Sequence, residues 1–209
     1  FNGVAGQNLP GNTPKASVGG VEYPNGFSQT SFAAITNSGK ITALSNTIHA
    51  TGVQYSTIDN LNPVDFSGEP LQNEGVPVVA SITATAGSTA IDASYTKYVD
   101  IVNEGVISAT DSTTINLGYA DAIRVKNSGT ISTTGSYALN AAGESSNMFV
   151  DNSGTIKADA IQAIYLQGAS QAAVQNQGTI TANAYGVYEV DGHFVSISNG
   201  DSSNTSSTP

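Results

Sequence analysis

The sequence predicts an all-β fold, a right-handed parallel β-helix (a solenoid) of about 24–25 residues and three strands per coil. Three observations predict it. One motif, Asn-x-Gly-x-Ile, returns at a nearly fixed interval: Asn103, Gly105 and Ile107; Asn127, Gly129 and Ile131; Asn152, Gly154 and Ile156; Asn176, Gly178 and Ile180, with the asparagines stepping by 24, 25 and 24 residues. Within each period the apolar residues gather in three short clusters. Their alternation, as in Ile115-Asn116-Leu117 and Ile164-Tyr165-Leu166, is that of strands buried on one face. Between the clusters stand Gly, Ser, Asn and Asp, the residues of tight turns. One coil cannot bury its own apolar face, whereas stacking at ~4.8 Å sets each isoleucine over its equivalent. An antiparallel β-sandwich also turns every ~8–12 residues, but it does not repeat one motif at a fixed longer interval.

Taken in order, residues 1–30 are turn-rich and aperiodic, with Leu9-Pro10-Gly11-Asn12 and Tyr23-Pro24-Asn25-Gly26, and are expected to form an irregular arm or cap. The helix is expected over residues 31–200, and its first copy of the motif is Asn37, Gly39 and Ile41. Residues 59–80, with Pro63, Pro70 and Pro77, are expected to leave the coil as a loop or side module, because proline cannot donate within a sheet ladder. Ile82 lies 25 residues before Ile107 and extends the isoleucine series without the Asn-x-Gly. The three following periods place Ile107 and Ala109, Ile115 and Leu117, Ile123 and Val125; then Ile131, Ala138-Leu139, Met148 and Val150; then Ile156 and Ala158, Ile164 and Leu166, Ala173-Val174. Ile197-Ser198-Asn199-Gly200 reads as a degraded final copy, and residues 201–209 as a flexible Ser/Thr-rich tail. Beginning at Phe1, the chain reads as a processed or excised segment.

The motif carries two expectations of its own. Its glycine is expected to supply a positive φ at a sharp corner. Its asparagines Asn103, Asn127, Asn152 and Asn176, at the same corner of successive coils, are expected to hydrogen-bond along the stack as an internal amide ladder. The alternative is that they are turn formers with amides facing solvent.

Composition narrows the function classes. Six Lys+Arg against sixteen Asp+Glu give a net charge of −10, and Arg124 is the one arginine, so the clustered cations that nucleic acid or anionic lipid would need are missing. With no cysteine, disulfides, thiol catalysis and Cys-based metal sites are excluded. No apolar run approaches the ~20 residues that span a bilayer, so no direct membrane insertion of this segment is expected.

The Asn-Ser-Gly-Thr-Ile units, at Asn127–Ile131 and Asn152–Ile156 above all, resemble the passenger regions of Gram-negative autotransporters and related β-helical surface adhesins. The resemblance runs from about Ala33 to Gly200 with the interruption at 59–80, and the chain holds no carboxy-terminal membrane barrel. It implies an extracellular or bacterial cell-surface location and a role in adhesion, autoaggregation or biofilm building. The expected function is therefore that of a non-enzymatic structural or adhesive protein, self-associating into filaments or a lattice. Copies of itself are its expected partners, with a surface glycan or a host or abiotic surface as further ones.

The alternative is a β-helix that binds or degrades polysaccharide, as tailspikes and pectinases do. Arg124-Val125-Lys126 and Asp191-Gly192-His193 resemble fragments of the polygalacturonase signature, but in reversed order and without its paired aspartates, and coincidence is expected. Stacked coils would bring Asp100 or Asp121 near Asp151, and Glu189 near Asp191, within the ~5–10 Å that glycoside hydrolysis requires; solvated surface acids are the expected reading. No catalytic, cofactor-binding or metal-ligating set is expected. His49 and His193 stand far apart in sequence, and the glycines do not follow the calcium-binding nonapeptide pattern. Tyr119, Tyr137, Tyr165, Tyr185 and Tyr188 fall at varying offsets from the repeat isoleucine and are expected to be scattered over the surface.

Overall fold

The structure is a computed structural model that describes residues 32–143 and 147–200, so the expected arm (1–30) and tail (201–209) lie outside the described residues. Three parallel sheets make up the coil. The first stacks Phe32–Asn37, Tyr55–Asn60, Tyr98–Asn103, Ala122–Asn127, Asn147–Asn152, Gln171–Asn176 and Val195–Asn199. The second stacks Lys40–Ala43, Ser81–Ala84, Val106–Ala109, Thr130–Thr133, Thr155–Ala158 and Thr179–Ala182. The third stacks Ile48–His49, Ile91–Asp92, Ile115–Asn116, Tyr137–Ala141, Gln162–Gln167 and Tyr185–Val190. The chain visits the sheets in rotation, one strand of each per turn. The result is an all-β parallel β-helix of about seven turns, and the described residues contain no helix.

Register between coils is residue on residue. Ile41, Ile82, Ile107, Ile131, Ile156 and Ile180 form one file in the second sheet, as their spacing predicts. Ile58, Ile101, Val125, Val150 and Val174 form a second file, and Ile48, Ile91, Ile115, Leu139 and Ile164 a third. Members of the three files away from the stack ends are fully or almost fully buried. Each such side chain contributes about 1.5–3 kcal/mol relative to exposure. Ala84, Ala109 and Ala158 fill the narrower space beside them. One inward residue differs from expectation: Ala172, not Ala173, is buried beside Val174, because Ala173 stands in register with outward Phe149.

The amide ladder exists and is longer than expected. Nδ2 of each asparagine donates to Oδ1 of the next: Asn37 to Asn60 at 2.7 Å, Asn60 to Asn103 at 2.8 Å, Asn103 to Asn127 at 2.7 Å and Asn127 to Asn152 at 2.7 Å. Asn152 to Asn176 and Asn176 to Asn199 follow at 2.6 Å each. Nδ2 of Asn37, Asn60, Asn103, Asn127 and Asn152 also reaches two carbonyls, as Asn103 reaches Gly105 at 3.2 Å and Thr130 of the next coil at 3.2 Å, and that of Asn176 reaches Gly178 at 3.1 Å. The asparagine carbonyl in turn takes two N–H groups of the coil above, Asn103 O accepting from Ser128 at 2.8 Å and Gly129 at 3.1 Å. The corner is thus fixed by side chain and backbone together.

The repeat glycines do not supply a positive φ, contrary to expectation; none of Gly39, Gly105, Gly129, Gly154 and Gly178 has one. Their reason is steric. A Cβ on Gly129 would stand 2.1 Å from the carbonyl oxygen of Gly105, and the same clash recurs at Gly154 over Gly129 and Gly178 over Gly154. A carbonyl of the coil below occupies the space a side chain would need.

Asn60 is likewise a correction. Placed by sequence inside the 59–80 excursion, it ends a first-sheet strand and carries the ladder across to Asn103, 43 residues on. Leu61 N–H still bonds Asn37 O at 2.9 Å, and the chain rejoins the coil at Ala80, whose carbonyl takes Val106 N–H at 2.8 Å as Gly105 O takes that of Thr130. Asn62 clamps the base of the loop: its Oδ1 accepts from Ala80 N at 3.1 Å and its Nδ2 donates to Glu104 O at 3.0 Å. Beyond the clamp lies a small antiparallel hairpin, Gln72–Asn73 against Val76–Pro77, and a turn held by Asp65, which accepts from the Ser67 hydroxyl at 2.7 Å.

Two substitutions separate these causes. Gly129→Ala should destabilise the fold markedly, while Gly39→Ala, with nothing within 4 Å of the added carbon, should leave the melting temperature nearly unchanged; equal effects would contradict the steric account. Asn127→Ala should cost about 1–3 kcal/mol for each buried group left unpaired, read from urea unfolding, and Ile131→Asp or Ile156→Asp should abolish the folded β signal, since each puts a charge into a dry file.

Candidate functional site

Outside the coil, outward side chains meet along and between the stacked strands. Every tyrosine among the described residues lies against another: Tyr55 on Tyr98 at 4.8 Å, Tyr95 on Tyr119 at 4.9 Å, Tyr137 on Tyr165 at 4.9 Å, Tyr165 on Tyr188 at 5.9 Å and Tyr185 on Tyr188 at 5.0 Å. The expected scatter is therefore wrong. Counting from the coil isoleucine hid the stacks because the turns between strands differ in length. At Tyr165, packing raises the phenol pKa, first through desolvation and then through the neighbouring Tyr137 and Tyr188.

The third sheet carries a second, external file: His49, Asp92, Asn116 and Asn140. Asn140 Nδ2 donates to Asn116 Oδ1 at 3.0 Å and Asn116 Nδ2 to Asp92 Oδ1 at 3.1 Å. Asp92 Oδ2 lies 3.4 Å from His49 Nδ1. His49 is thus part of a surface polar chain, and no group of three or more His, Cys, Asp or Glu able to hold a metal ion occurs among the described residues.

A groove lined by aromatic and charged side chains lies on the outer face of the first sheet. One outward row reads Phe32, Tyr55, Tyr98, Ala122, Asn147 and the adjacent row Thr57, Asp100, Arg124, Phe149. Together they line an open groove of about 420 Å³. The Tyr55 and Tyr98 rings are only 12° from parallel, and the Lys97 ammonium lies 5.4 Å from the Tyr98 ring centroid. Beside them Arg124 makes a two-pronged bond to Asp100, Nε to Oδ1 at 2.8 Å and Nη2 to Oδ2 at 2.7 Å. That hydrogen bond, and then the Asp100 charge, holds the guanidinium pKa above its usual value. The pair fixes a planar polar fork next to an aromatic wall.

The residues singled out for catalysis are not brought together. Arg124 belongs to this groove, whereas Asp191 and His193 line a separate cleft with Tyr119 and Gln167 at the turn leading from the third sheet to the first. Asp151 stands in register with Lys126 and Gln175, a different row from Asp100. Glu189 occupies the inward row above Ala141 and Leu166, where its carboxylate takes the N–H of Gly192. The sixteen repeat positions from Asn37 to Ile180 form the ladder, corner and core files, and so belong to the scaffold.

No protein-family model, curated protein or solved structure matches this chain.

Because the Asp100–Arg124 pair is exposed, Arg124→Ala should lower stability by less than ~1 kcal/mol. Urea unfolding beside Asn127→Ala checks that the groove is separable from the scaffold; an equal loss would tie the two together.

Proposed function

We propose that this β-helix is a non-enzymatic structural and adhesive protein of the bacterial surface or extracellular space, which presents its outer faces passively and associates end to end with copies of itself. The observation that carries the reading is the polarity of the asparagine ladder. All six amide bonds point the same way, so the ladder ends at the last coil in the Asn199 amide, its donor end, and at the first in the Asn37 side-chain oxygen, its acceptor end. Such ends are complementary but not identical, and a contact of that type builds filaments instead of closed dimers. The last coil also displays core positions: Ile197 is 53% exposed where Val174 beneath it is 1% exposed. The resemblance of the Asn-Ser-Gly-Thr-Ile units to autotransporter passengers supports the surface location, as does the acidic, cysteine-free composition.

Glu189 bears on how strongly the ends join. It places a carboxylate in the inward row of the last coil, the device by which exposed sheet ends are kept apart.

Electron microscopy of the full chain across concentration should show filaments whose onset moves to lower concentration in Glu189→Leu and to higher concentration in Ile197→Asp. A chain that stays monomeric throughout, with both variants indistinguishable from it, would refute end-to-end association. Antibody labelling of intact cells tests the location.

A further inference from the structure

We infer that Tyr95 and Tyr119 form an oxidative cross-linking site, where hydrogen peroxide acting through a peroxidase joins the two rings as dityrosine and staples one coil to the next. The link lies within a single chain, so its test and that of end-to-end association fail separately.

Composition decides which side chain an oxidant meets. The chain has no cysteine and no tryptophan, and its one methionine, Met148, is buried in the core. The sulfur groups that usually oxidise first are thus absent or shielded. What remains at the surface is the phenol, which gives up an electron together with its proton.

Geometry decides where two oxidised rings meet. Tyr95 and Tyr119 stand at equivalent places in the turn that leads from the third sheet to the first, after Ile91–Asp92 and Ile115–Asn116. Their rings lie 4.9 Å apart and 7° from parallel, the nearest to parallel of the tyrosine contacts. Both are well exposed, at 64% and 59%, whereas Tyr137, Tyr165 and Tyr188 are half-buried on strands. The backbone bonds Tyr95 N to Gly118 O and Tyr119 N to Ala142 O, 2.9 Å each, keep the turns in vertical register.

The turn also holds these tyrosines where glycine would be easier. Their φ angles are 56° and 59°, and the equivalent places on other coils are taken by Gly52, Gly143 and Gly168, also at positive φ. Side chains rarely adopt that conformation, and such outliers gather where a residue has a task beyond the fold. Gly143 completes the seat: a Cβ there would stand 2.5 Å from the Tyr119 ring, so that ring lies directly over the glycine.

Each phenol loses one electron and one proton, leaving two phenoxyl radicals side by side. A carbon–carbon bond forms between the positions ortho to the two oxygens. The hydrogens on those carbons pass to the oxygens, which restores both rings. The pair has then lost two hydrogens, and one peroxide, taking two electrons and two protons, has become two waters. Joining the carbons requires the rings to tilt toward each other, and side chains this exposed have room to do so. The asparagine ladder fixes the corner between the first and second sheets; the staple fixes the one between the third and the first, closing a coil into a covalent loop that restricts the unfolded chain.

The experiment treats the full-length protein with hydrogen peroxide and a haem peroxidase and follows dityrosine fluorescence, intact mass and tandem mass spectrometry of digests. The monomer should lose two hydrogens, gain the fluorescence and yield a peptide joining Tyr95 to Tyr119, and it should melt at a higher temperature than the untreated protein. Tyr119→Phe and Tyr95→Phe keep the stacked ring, so each should fold normally and lose the joined peptide, while Tyr137→Phe should retain it. Absence of dityrosine from the monomer, coupling confined to links between chains, a link mapped to other tyrosines and unaffected by Tyr119→Phe, or an unchanged melting temperature would each overturn the proposal.

Discussion

Everything in this molecule depends on translating one coil onto the next without rotation or slip, and the asparagine amide is the side chain that enforces it. A primary amide is self-complementary along a line, with Nδ2 donating forward and Oδ1 accepting from behind. Repeated at the coil spacing it satisfies itself indefinitely. Aspartate in the same place would offer acceptor against acceptor. The buried Nδ2 also reaches backbone carbonyls on its own coil and on the next, so a slip of one residue would strand several buried groups at once, at about 1–3 kcal/mol apiece. The isoleucine files supply most of the driving force, but a greasy stack alone does not say which residue sits over which.

The same corner explains how the coil absorbs an insertion. The loop leaves just after Leu61 and returns at Ala80, so both flanking residues keep the backbone bonds that the uninterrupted motif makes. Asn62 meets the remaining backbone donor and acceptor at the gap. Loop closure grows only slowly with length once the ends are fixed. An insertion at this point therefore interrupts the sequence motif without interrupting the ladder.

That is also where sequence reasoning stopped short. Period and alternation are enough to give the fold and the pairing of Ile82, Ile107, Ile131 and Ile156, because vertical register follows directly from spacing. Four ladder asparagines were legible for the same reason. Asn60 was not, since its partner glycine position is filled by Ala80, a residue separated from it by the loop. The glycine rule was legible as a requirement but not in its cause, because the obstructing carbonyl comes from another coil. The outer groove was hidden more deeply. Tyr55, Tyr98 and Ala122 are separated by intervals that the loop and uneven turns make irregular, and only the paired strands place them in one row.

Inside and outside of the coil are consequently under different constraints. Inward positions are tied to the ladder and the dry files, where one wrong atom is costly. Outward positions meet neighbours on the same or the adjacent coil, through exposed pairs and stacked rings worth about 0.2–1.5 kcal/mol each. Self-stacking is the default there, as the tyrosine pairs and the His49–Asp92–Asn116–Asn140 file show. The default is broken at Ala122, which follows Phe32, Tyr55 and Tyr98 in one outward row at almost no cost to the scaffold. The files beneath that row stay buried and in register, so the outer face can change residue by residue while the ladder and the core hold the coil.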